Sequence, residues 1–293
     1  MGSTLSKKQK YGVILFCVGT GFLIGGLYFD GKFDKKSKNP QQQIETDNQV
    51  QKTNQERDVP QGYDQVLQQA KGQVMVEFQG DYLTMNTINQ ILQKSMDLAK
   101  PEYAQITLEN RKQRREAKSQ FNSQLYQQLV LDYNEQVENL IERKQIEFCQ
   151  SLQITEDIFQ ESVMQLMENG QFQQFFMIQA SLRQHIKEAI PSTKTLSLDQ
   201  LKQIISYQVE IISKIPKDLA LMKETLSASQ ETQQLIPLAV NTIIADYCYE
   251  KFQIEEEDMM KLMQNPDNFA DQTMHNLMTQ LETAMYQFMG PIS

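Results

Sequence analysis

Residues 11–29 of the 293-residue chain, YGVILFCVGTGFLIGGLYF, contain no charged side chain, and lysines stand on both sides. As a helix this run reaches about 28 Å, close to the hydrocarbon thickness of a bilayer. Tyr11, Tyr28 and Phe29 lie at its ends, where aromatic rings favour the membrane interface. A cleaved signal has a shorter apolar core and a small-residue cleavage site after it. The pattern therefore predicts a retained transmembrane helix over 11–29 behind a basic flank at 1–10. Three lysines precede the run and four follow closely, so the flanks leave its orientation open. Gly12, Gly19 and Gly26 recur every seven residues, and Gly21 and Gly25 form a GxxxG pair. They are candidates for packing against other membrane helices, although glycine is also frequent in such spans generally. MGSTLS at the start fits an N-myristoylation pattern with Gly2 and Ser6, one short enough to arise by chance.

From 30 to 60 the chain is rich in Lys, Gln, Asn, Thr and Asp. That composition predicts a polar linker, and residues 61–293 then read as a mostly helical domain. Within it, 73–80 (QVMVEFQG) is the one strand candidate, paired with a partner or folded into a short hairpin. Ile88, Ile91, Leu92 and Met96 share a helix face, and Pro101 predicts the end of that helix. A very long amphipathic helix is expected next, from 107 to 152, about 69 Å if continuous. Thr155 fits a helix cap, with Glu156 and Asp157 behind it and Asn169-Gly170 as the stop. Pro191 opens a break at 191–196, a candidate sub-boundary, after which Ser197 caps a helix ending before Pro216. Two further helices are expected from 218 to about 228 and from Pro237 onward. The last carries Met274, Leu277, Met278, Leu281, Met285 and Phe288. The stretch from Gln253 echoes the one from Gln153, either a degenerate repeat or a chance likeness of two helix starts. The fold class is thus mainly α: a transmembrane helix, a linker, and a helical domain with at most a minor β element.

The expected long helix has one unusual section. Arg111, Lys112, Arg114, Arg115 and Lys118 gather on ENRKQRREAK, with Glu109 and Glu116 among them. One reading is a contact for an acidic partner surface or anionic lipid headgroups. The other is a solvated face laced by charge pairs.

Composition narrows the function classes. The net charge of -9 argues against nucleic acid as a partner, because phosphate binding needs a basic surface. Cys17, Cys149 and Cys248 are scattered and odd in number, which argues against a disulfide framework. Only His185 and His275 are available for imidazole chemistry. No Walker loop, GxGxxG, GxSxG, HExxH or calcium loop occurs, so no catalytic, cofactor-binding or metal-binding residue is assigned. The fifteen methionines fill an irregular core or line an adaptable groove.

Glutamine makes up about 15% of the chain, several times ordinary usage, and is spread evenly. This usage is similar to that of ciliate proteins, in which reassigned stop codons encode Gln. With the apolar run and the lack of motifs, the chain resembles a lineage-specific accessory subunit of a mitochondrial inner-membrane complex, ATP synthase or respiratory chain. The resemblance implies a non-catalytic, single-pass structural protein whose partners are other subunits and the lipid bilayer. The alternative is a membrane-tethered adaptor that binds a target peptide or anionic lipid through Met-rich helices.

Overall fold

The computed structural model describes residues 62–227 and 235–289. Helix α1 (Tyr63–Lys71) leads into a two-stranded hairpin, β1 (Phe78–Gln79) and β2 (Tyr82–Leu83). The strands pair antiparallel, Phe78 with Leu83 and Gln79 with Tyr82. Gly80 takes the first turn position at φ 66°, where a side chain would be strained. Two long helices follow, α2 (Met85–Ser119) and α3 (Ser123–Ser151), packed side by side as a helical hairpin. Then come α4 (Glu156–Leu166), α5 (Phe172–Lys187), α6 (Leu198–Lys214), α7 (Lys217–Leu226), α8 (Ile236–Phe252), α9 (Glu256–Met263) and α10 (Gln272–Met289). A π-helical turn at Met167–Gln171 joins α4 to α5, and a 3-10 turn at Pro266–Ala270 precedes α10.

Side-chain caps explain several of the helix starts. Thr84 accepts a hydrogen bond from the Thr87 amide and starts α2. Thr155 does the same for α4 through the Ile158 amide. Ser197 forms a full capping box with Gln200 at the start of α6. The stop at Asn169-Gly170 is a π turn in which Gly170 takes φ 78°.

The expected fold class is corrected in its membrane component. Among the described residues no helix is long and apolar enough to cross a membrane. Helix α2 has the length, but Lys94, Asp97, Lys100 and Glu102 put four charges within three turns on its other faces. The expected span at 11–29, with Gly12, Gly19, Gly21, Gly25 and Gly26, lies outside the described residues, as do the linker at 30–60 and Cys17.

Two helix boundaries also differ. Pro101 does not end α2, which runs through it to Ser119. An internal proline costs a helix about 3 kcal/mol. Burial on both sides offsets this, since Met96, Leu98 and Ala99 before it and Tyr103 after it lie in one core. Conversely, the single helix expected over 107–152 is two helices that reverse at Gln120–Asn122. There Phe121 adopts φ 56° and the Asn122 amide donates to the Ala117 carbonyl at 2.9 Å. The Phe121 amide donates to Lys118 at 3.0 Å, completing a Schellman stop. Asn122 then caps α3 through the Leu125 amide at 3.1 Å.

The apolar side chains form two clusters. The first joins Leu83, Ile88, Ile91, Met96, Phe148, Phe159, Leu182 and Ile186, from the β-hairpin and α2–α5. The second joins Leu201, Ile205, Ile212, Leu219, Ile243, Met274 and Leu281, from α6–α10. Ala117, Tyr126 and Val130, at the far end of the α2–α3 hairpin, also belong to the second. The hairpin therefore passes from one core into the other.

Candidate functional site

The basic section of α2 sits where the hairpin changes cores. Its buried face continues the spacing of the apolar stripe before it. Tyr103, Thr107, Asn110, Arg111, Arg114 and Ala117 are all buried, at steps of three and four. The period of burial is unbroken and only the chemistry changes. A buried guanidinium needs a carboxylate partner, and α8 and α9 supply them from the same chain.

Arg114 donates through Nε and Nη2 to both oxygens of Asp246, at 2.8 and 3.1 Å. Its remaining Nη1 reaches Asn110 Oδ1. Tyr126 donates its hydroxyl to the same carboxylate at 3.0 Å. The Arg114 and Asp246 side chains are only 3% and 2% exposed. Arg111 binds Glu257 by two parallel bonds of 3.0 and 2.6 Å. Arg115 binds Glu255 the same way at 2.9 and 2.8 Å and stacks over the Tyr249 ring at 3.4 Å. Lys118 pairs with Glu250 at 2.9 Å and sits 3.5 Å above the Tyr247 ring. Lys187 of α5 joins the network by binding Glu256.

Of the five basic residues singled out in the sequence, the structure brings Arg111, Arg114, Arg115 and Lys118 together against an acidic surface within the chain. Lys112 alone of the five points to solvent. The residues that the sequence did not single out for this site are Asp246, Glu250 and Glu255–Glu257. Glu256 and Glu257 read as ordinary helix-start acids. The signal that connects them is the match of three cations at i, i+3 and i+4 with an acidic cluster more than a hundred residues away.

The electrostatics are mutual. Burial alone would lower the Arg111 and Arg114 pKa values, but Glu257 and Asp246 outweigh it and both are raised. Burial and the Asp246 charge push the Tyr126 hydroxyl well above its ordinary value, so it stays a donor. Burial would raise Glu256, yet Lys187 holds it below the usual carboxylate range. Next to it, Asp258 is buried and would also be raised. Amides of Glu255, Lys194 and Thr193 and the Ser192 hydroxyl outweigh burial and lower it. Asp258 thereby ties the connector between the two cores to α9, with amide bonds of 2.8 Å from Thr193 and Lys194.

This arrangement ties α2 to α8 and α9 through ion pairs. Each carboxylate of the three bidentate pairs accepts from one guanidinium through both of its oxygens. Among the described residues no group of three or more His, Cys, Asp or Glu could hold a metal ion. Cys149 and Cys248 are buried free thiols, each pushed up to about 12 by burial. His185 bonds Asp97 at 2.7 Å, Lys100 at 2.9 Å and Glu188 at 3.0 Å on one side of a groove of ≈ 590 Å³. A second groove of ≈ 550 Å³ lies between α1, α2 and α3. Its cations are engaged, Lys144 with Tyr63 and Glu147 at 2.7 and 3.1 Å, and Arg143 with Glu102 at 2.6 Å.

The comparisons with known proteins give no relative: no family model matches the chain, and neither a curated protein nor a solved structure is significantly similar to it.

Proposed function

We propose that the chain is a non-catalytic structural subunit that bridges neighbours in a multi-protein assembly. One observation carries this reading. Phe121, at the tip of the α2–α3 hairpin, is 93% exposed and held at positive φ. A left-handed backbone costs a side-chain-bearing residue roughly 1–2 kcal/mol, and glycine is the usual choice there. A strained position that presents a large apolar side chain to solvent supports a contact site there. Leu125, one turn into α3, is 44% exposed and extends the same tip.

The hairpin behind the tip suits a bridge. It is anchored in two cores and locked by three bidentate ion pairs. The adaptor reading has less support, because Met274 and Met285 of the last Met-rich helix are buried in the second core, with Met278 and Met289 packed partly against it. The ciliate-like glutamine usage directs the first search to mitochondrial inner-membrane complexes, ATP synthase and respiratory chain.

The test is gradient or native-gel fractionation of gently solubilised source cells, with mass spectrometry of what migrates with the chain. Stoichiometric co-migration with a large complex is expected. A double variant, Phe121→Ser with Leu125→Ser, should leave that complex while keeping its helical circular dichroism. Migration of the native chain by itself, or as nothing larger than a homodimer, overturns the proposal.

A further inference from the structure

The segment before the β-hairpin has two edges, and they are treated differently. On the inner edge, the Met75 amide donates to Gln90 Oε1 at 3.2 Å and the Glu77 amide to Thr87 Oγ1 at 2.9 Å. The Thr87 hydroxyl reaches the Met75 and Glu77 carbonyls, and the Thr84 amide donates to Glu77 at 3.0 Å. Residues 75 and 77 therefore turn their backbone groups toward α2. By strand alternation, residues 74, 76 and 78 turn theirs outward. The opposite edge of the hairpin agrees with this. Leu83, paired with Phe78, sends its amide out of the hairpin to Ser162 Oγ at 2.8 Å.

On the outer edge, the Val76 amide and carbonyl, the Phe78 amide and the Val74 carbonyl meet no partner among the described residues. Only the Val74 amide is engaged there, with Lys71. The side chains repeat the message. Leu83 is buried, and Phe78 opposite it is 52% exposed, with Val76 exposed beside it. The apolar face of the hairpin runs past its last strand, as though one more strand were due.

We propose that this edge pairs with the same edge of a second copy of the chain, antiparallel about a two-fold axis at Val76. The register is self-complementary. It sets Val76 against Val76 and Phe78 against Val74, apolar on apolar. The Phe78 amide meets the free Val74 carbonyl of the other copy, and the engaged Val74 amide is not required. Glu77, the only charged residue of 73–79, falls opposite Met75, so no like charges face each other. Two-fold pairing of one patch with itself is the commonest form of homo-oligomer. The strand is short, so its interface lies below the roughly 1,200 Å² of stable complexes and the dimer is concentration-dependent. The proposal stands apart from the assembly reading, which rests on the hairpin tip.

Cysteine cross-linking of the full chain tests both the surface and the register, with Cys17→Ser as background. Residues paired on the axis lie about 5.5 Å apart at Cα, within disulfide reach. Val76→Cys should therefore form a linked dimer under mild oxidation. Phe78→Cys should not, because its own copy is four residues out of register, about 14 Å away. Mixing Val74→Cys with Phe78→Cys chains should restore a link. Val76→Pro removes an amide that has no partner among the described residues. It should keep the native circular dichroism and sediment as a monomer across a dilution series in which the parent chain dimerises. A monomeric parent chain, a Val76→Cys chain that stays unlinked, or equal linking by Phe78→Cys overturns the proposal. So does a folded Val76→Pro chain that still dimerises.

Discussion

Phe121 occupies a backbone position that glycine would hold at lower cost, and this makes its contribution separable. Phe121→Gly should raise stability by about 1 kcal/mol, because the left-handed strain disappears and almost no buried surface is lost. Urea midpoints of the two chains measure this. The same variant should bind less well to the assembly, so stability and function move in opposite directions. Arg114 shows the reverse economy. Arg114→Met leaves the buried Asp246 carboxylate with the Tyr126 hydroxyl and only the distant Arg115 Nε, 4.0 Å away. Such a loss costs about 3–5 kcal/mol, whereas removing both charges is often nearly neutral. Arg114→Met combined with Asp246→Leu should therefore recover much of the lost stability. A double variant no more stable than Arg114→Met would show that the pair does more than neutralise itself. The sequence displays these arginines plainly, but it does not display their burial. Burial was visible only as a spacing of three and four that continues from Ile88 through polar residues.

Helix α9 is the element on which the two cores converge. Glu255 and Glu257 bind α2, Glu256 binds Lys187 on α5, and Asp258 holds the connector after α5. Glu256 and Asp258 both have folded pKa values below their ordinary ones. Groups depressed in this way stabilise the fold above their unfolded pKa, and that stabilisation is lost as pH falls through the folded value. Stability should hold at neutral pH and fall progressively below about pH 5, where carboxylates begin to take up protons. Glu256→Gln should flatten part of that slope, as read from urea midpoints between pH 7 and pH 3. Elsewhere the element boundaries follow local chemistry. Ser197→Ala removes the capping box of α6 and should cost about 1 kcal/mol. Thr155 and Ser197 were legible because a cap acts over three residues. Pro101 misled because its penalty is local, while the packing that outweighs it joins α2 to helices far along the chain.

At the scale of the molecule, the shared hairpin predicts cooperativity. Cys149 lies in the first core and Cys248 in the second, each alone in its cluster and each poorly reactive while buried. Because α2 and α3 run through both cores, the two thiols should become reactive at the same urea concentration. Site-resolved labelling by mass spectrometry checks this, and separate midpoints would mean that the cores unfold independently. By itself the sequence determined the helical class, the caps at Thr155 and Ser197 and the stop at Asn169-Gly170, since these depend on neighbours a few positions apart. It also indicated that a β element would be minor. Only the tertiary structure decided that α2 survives its proline and that the long helix folds back at Phe121. It likewise decided that the basic section meets an acidic surface of the same chain. The physical reason is the same in each case. A charge or a proline has a fixed local cost, but whether that cost is offset depends on partners brought close by folding, and sequence distance does not encode them.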